Sequence, residues 1–272
     1  MKIKEKKQFF KKTVYLNIIL SLLFILINSC RTSIVMTETP SPPQEKTVKA
    51  PRKVTKQKSN NSKLESETSP EKPYPIHKRI KTTFFYIGEK DIYKSGVIDN
   101  GSSAWTEDWV KAYGGIDFPD KRDGYFPAGF IPKENPFYFA LPYNDVTNHG
   151  HKESVKSIPI LKKWKALEDS KGSDDFVSYC KNKWIKINYR GKVCYAQWED
   201  VGPFETDDVN YVFGNARPKN KKNGGVGLDI SPACFKYLGM KDNDYTDWQF
   251  VDFKDVPDGP WLKCITISNP KW

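Results

Sequence analysis

The chain has only three histidines in 272 residues, no histidine–cysteine spacing of the zinc-binding kind, and no apolar run near the roughly 20 residues that cross a bilayer. The first two shortages leave no metal and no cofactor to expect. The third leaves one short candidate, residues 14–27, apolar except for Asn17 and Ser21, after a head carrying Lys2, Lys4, Lys6, Lys7, Lys11 and Lys12. A basic head before an apolar core of that length suits a secretory signal, so export is expected. Residues 31–79 lack apolar clusters and are rich in Pro, Ser, Thr, Lys and Glu. Such a segment cannot bury enough surface to offset ordering entropy and reads as a disordered tether, kept extended by proline.

An excess of one charge sign is also missing where it would matter. The net charge is +11, but the excess lies within residues 1–80, and residues 81–272 balance acidic against basic side chains. A nucleic-acid partner loses its main support, and the basic tether is more simply a solvated segment near an anionic membrane surface.

Cysteine is scarce but placed informatively. Residues 27–30 (INSC) resemble a bacterial lipobox, which makes Cys30 the lipidation candidate and 1–30 a lipoprotein-type signal peptide. The alternative is an uncleaved N-terminal anchor, and both hold the chain at a membrane, exported into the cell envelope. Cys180, Cys194, Cys234 and Cys264 remain. In an oxidising compartment four thiols suggest two disulfides, with three possible connectivities, against the alternative of buried free thiols.

Residues 80–272 are enough for one domain with a sizeable core. Within it, residues 192–198 (KVCYAQW) read as a strand whose alternation places Cys194, Ala196, Trp198 and Asp200 on one face, and Gly202-Pro203 ends the pairing. In residues 227–239 (GLDISPACFKYLG), Leu228 and Ile230 point away from Asp229 into a core. Ser231 as N-cap, Pro232 in the first turn and Gly239 past the end predict a short helix over 232–238.

Elsewhere, residues 82–86 and 136–141 read as strands, 106–113 as a turn of helix capped by Thr106, and 160–167 as helical. Residues 184–188 and 193–198 form a hairpin around 189–191, residues 143–180 and 204–226 are insertions, the second a loop over the groove, and 261–267 closes the chain as a last strand.

A strand ending in D-x-G-P-F, followed by L-D-I-S-P-A and a helix running into L-G-M, resembles the double-psi β-barrel shared by rare lipoprotein A and the expansins. The resemblance covers residues 181–253, and more loosely from about residue 80, where Thr82 and Thr83 open the first barrel strand. It implies a mostly β fold, a six-stranded double-psi β-barrel with short helices and long loop insertions. It also implies a groove for peptidoglycan or a related polysaccharide, and a lytic transglycosylase-like reaction in which one Asp does the proton work. Asp200 matches the acid position, and Asp229 would orient the sugar or set the field at Asp200; the pair are the catalytic candidates. Trp198, Gly202, Thr83 and His151 are the substrate-binding candidates, with Trp198 supplying apolar surface that raises the Asp200 pKa.

Two departures weigh on this. Pro142 stands where transglycosylase-like members carry a histidine, with His149 and His151 following, and Gly202 stands where expansins carry a tyrosine. The alternatives are a non-catalytic glycan-binding or wall-loosening module, and an interaction domain in which both carboxylates only bond to nearby backbone. Trp105 and Trp109 serve either sugar stacking or the core.

Overall fold

The structure, a computed structural model, describes residues 74–93, 96–172 and 176–267. The expected signal peptide, lipidated Cys30 and most of the tether lie outside the described residues. Six strands close a barrel: β1 (Ile76–Phe84), β2 (Tyr138–Leu141), β3 (Trp184–Tyr189), β4 (Lys192–Val201), β5 (Leu228–Ile230) and β6 (Asp244–Val251), in the order β1-β5-β2-β4-β3-β6. The β1/β5 and β4/β2 pairs are parallel and the other four antiparallel. β1 starts at Ile76, inside the stretch whose composition reads as tether.

The hairpin between β3 and β4 turns at Arg190 and Gly191, both at positive φ (51° and 85°), as a two-residue turn matched to strand twist requires. The side chains pointing into the barrel are large and apolar: Ile80, Phe139, Ile185, Ile187, Trp198, Leu228, Ile230, Trp248 and Phe250 are all buried. β2 is buried on both faces. Phe139 enters the barrel core, while Tyr138 and Ala140 face a second apolar cluster with Phe85, Ile87, Trp109 and Tyr113.

The helices are short: α1 (Trp109–Tyr113), α2 (Pro159–Asp169), α3 (Val209–Val212) and α4 (Pro232–Leu238). α4 matches its sequence signature residue for residue: the Ser231 side chain accepts from the Cys234 N–H, and Gly239 closes the helix in the left-handed region at φ 75°. α1 is capped by Asp108, which accepts from the Lys111 N–H, and not by Thr106. The second insertion does more than cover a groove, because Tyr211 and Val212 of α3 are fully buried in the core.

Two expectations are corrected. Residues 261–267 are not a strand; Pro260–Leu262 form a 3-10 turn followed by irregular chain. The barrel is already closed by β6, which pairs with both β1 and β3, so no edge remains for a further strand to join. Cys180, Cys194, Cys234 and Cys264 are free thiols and not two disulfides. The first three are fully buried and fill the core as small hydrophobes. The Cys264 thiol donates to the carbonyl oxygens of Pro132 and Glu134, each at 3.3 Å.

Candidate functional site

Strand register assembles the site. Thr83 on β1 lies opposite Asp229 on β5, Asp229 lies opposite Ala140 on β2, and Ala140 lies opposite Asp200 on β4. Residues opposite one another in a ladder point to the same face, so the four side chains form a row across four neighbouring strands. The carboxylates flank the methyl group of Ala140, two inter-strand spacings apart, on the order of 10 Å between Cα atoms. Leu228 and Ile230 point the other way into the core, as alternation requires.

Asp200 reaches this row through a bulge. Trp198 lies opposite Phe139 and Asp200 opposite Ala140, so Glu199 is an extra residue between two consecutive positions of β2. Trp198 and Asp200 therefore project from opposite faces of the sheet, which corrects the reading that put them on one face. Trp198 is fully buried, stacked on Phe139 and Phe250 at 5.8 Å each, and its indole N–H donates to the Asp200 carbonyl oxygen at 2.7 Å. It is a core residue with no surface left for a sugar and does not shield the Asp200 carboxylate.

The row opens onto a cavity of about 830 Å³, walled by the segment after β1 (Glu89, Ile98, Asn100), by Gly202, Pro203 and Phe204 after β4, and by Lys222 and Asn223 of the second insertion. Gly202, at φ 153°, has no side chain to intrude. Phe204 is half exposed at the rim, with the Lys222 ammonium 5.3 Å above its ring.

Both carboxyls are stronger proton holders than aspartate in water. Desolvation raises Asp200 to about 6, against the opposing pull of the Ala104 and Val201 N–H groups and of Lys181. Its Oδ1 accepts those two bonds at 2.8 and 2.7 Å. Desolvation raises Asp229 to about 7, opposed by the Thr83 hydroxyl, which donates to Oδ1, and assisted by the charges of Asp200 and Glu89. Glu89, buried in the same wall, is also raised, again chiefly by desolvation.

Of the candidates that the sequence points to, Asp200, Asp229, Thr83 and Gly202 thus meet in one place, and Thr83 binds Asp229. His151 does not join them. Its ring stacks on Tyr179 at 3.9 Å and bonds to the Val177 carbonyl at 2.8 Å, away from the cavity lining. His149 is likewise not part of that lining, and Trp105 and Trp109 are buried. No group of three or more metal-ligating side chains occurs among the described residues.

Phe204 closes the D-x-G-P-F motif, but Glu89 and the Ala104 amide carry no signal in the sequence that marks them for the site. Glu89 follows a glycine turn with no periodic pattern, and a backbone amide has no sequence signature at all. No family model, curated protein or solved structure matches the chain.

Proposed function

We propose that this is an envelope protein, exported and membrane-anchored through Cys30, whose barrel acts on peptidoglycan glycan strands by a lytic transglycosylase-like route. In this reading the barrel is of the double-psi type shared by rare lipoprotein A and the expansins. Its two parallel strand pairs, joined through the antiparallel β5/β2 ladder, support that topology. The observation that carries the function is the pair of desolvated carboxyls, Asp200 and Asp229, on one open cavity.

A carboxyl that titrates near 6 holds protonated and ionised forms together close to neutral pH. Asp200 protonates the glycosidic oxygen as the bond to the anomeric carbon breaks. Ionised, it takes the proton of the sugar's own 6-hydroxyl as that oxygen closes on the anomeric carbon, leaving an anhydro end without water. Asp229, held by Thr83, orients the sugar; of the pair it keeps its proton to the higher pH, helped by the charge of ionised Asp200.

The second reading, a module that grips glycan without cleaving it, is favoured by the two backbone amides that already satisfy the Asp200 carboxylate. Incubation of the purified full-length protein with intact and peptide-stripped peptidoglycan, followed by mass analysis of released sugars, separates the two. Anhydro ends from wild type and none from Asp200→Asn support the enzyme. Binding without release supports the module, and absence of both leaves a protein-interaction role.

A further inference from the structure

Residues 101–108 cross the end of β4 and place a backbone amide on Asp200. The loop is folded on itself by a Ser103–Thr106 bridge, with the Ser103 N–H donating to the Thr106 carbonyl at 2.9 Å. At its tip the Ala104 N–H donates to Asp200 Oδ1 at 2.8 Å. Two residues on, the buried Thr106 hydroxyl accepts from Lys181 Nζ at 2.9 Å. Lys181 is itself buried, 3.4 Å from Glu199 and 3.8 Å from Glu134, and Glu134 accepts from the Trp109 indole at 3.0 Å. Glu199 is the bulge residue next to Asp200. One ammonium therefore ties the loop that carries the amide to the bulge that carries the carboxylate.

Such a cluster is an expensive way to hold a fold. Ions taken out of water lose several kcal/mol each, and well-packed apolar groups would often stabilise as much or more. Its advantage is directional, because a hydrogen-bonded ion fixes geometry that apolar packing leaves looser.

We propose that Lys181 and Thr106 are positioning residues for Asp200: the buried ammonium grips the loop at Thr106, and that grip holds the Ala104 N–H against the carboxylate. The functional weight of this rests on Asp200 being the proton donor; the geometry does not. The N–H favours the ionised carboxylate, so the grip keeps Asp200 from becoming too weak an acid to give its proton away. The other charges facing Asp200 are Lys181 behind it, Asp229 across Ala140, and Glu89 and Lys222 on the cavity walls. Changing Thr106 removes none of these charges, and Lys181 keeps Glu134 and Glu199 as partners.

The test is the Asp200 titration, read by carbon NMR on the full-length protein with labelled aspartate, together with hydrogen exchange at the Ala104 amide. In Thr106→Val, Asp200 should bind its proton roughly threefold to tenfold more tightly, and the Ala104 amide should exchange faster. Thr106→Ser keeps the hydroxyl and should restore both readings. Thr106→Ala, which sets no methyl against the ammonium, carries the same expectation as valine. A folded valine or alanine variant with wild-type titration and exchange overturns the proposal. So does failure of both to fold, because the hydroxyl would then support the fold and not the carboxylate. No glycan enters the measurement, so an unmoved titration in a protein that cleaves glycan removes only the positioning role. A moved titration in a protein that cleaves nothing removes only the catalytic reading.

Discussion

An aspartate in water titrates near 4 and has little proton to donate at pH 7. Burial changes that for Asp200, and the amides on its Oδ1 stop the change near 6. If it is the donor, anhydro-sugar release should fall about tenfold per pH unit above pH 6, measured as initial rate at low substrate. Asp200→Asn should lower that rate by about 10² to 10⁴ with the fold unchanged by circular dichroism. Asp229 gives a stability prediction of definite sign. Its folded pKa, about 7, lies above the unfolded value, so its contribution to stability is fully present below about pH 4 and is lost as pH rises through 7. Asp229→Asn, which cannot ionise, should match wild type in urea unfolding at pH 4 and exceed it by roughly 1–3 kcal/mol at pH 8, discounted because the group is partly open to the cavity. Taking the difference between the two proteins removes His77, which burial lowers to about 4 and which would otherwise tilt the profile the opposite way.

At the scale of elements, local chemistry was legible and irregular geometry was not. Ser231, Pro232 and Gly239 set the bounds of α4 by capping alone, and Arg190-Gly191 marked the hairpin. Ser231 also accepts from the Tyr138 N–H at 3.3 Å, joining the helix start to β2 beside Ala140. Ser231→Ala should therefore cost about 1–2 kcal/mol in chemical denaturation, the upper part of the range for a lost cap. The bulge at Glu199 escaped a period-two reading, because one extra residue inverts every face assignment beyond it. That single slip assigned Trp198 to the groove. Asp200 was named as a candidate in spite of it, through motif likeness and not through alternation.

For the molecule as a whole, the mostly β class and the six-stranded closure were within reach of the sequence, since strand-length runs and turn signals are local. That Asp200 and Asp229 face one groove was expected from the motif likeness; that they meet across Ala140 was not legible, because it depends on register between segments far apart in the chain. Barrel closure also disposed of the strand expected at 261–267, a consequence no local propensity could announce. The aromatic interior makes its own prediction. Trp198→Ala, which empties the stack between Phe139 and Phe250, should destabilise the protein by about 3–5 kcal/mol in urea unfolding. A sugar-stacking role would predict weaker binding at nearly unchanged stability.

The methyl group between the two acids acts as a gauge block. Its size fixes how deeply anything seated on the row can sink toward both carboxyls at once. An isoleucine there should raise the floor between the two acids.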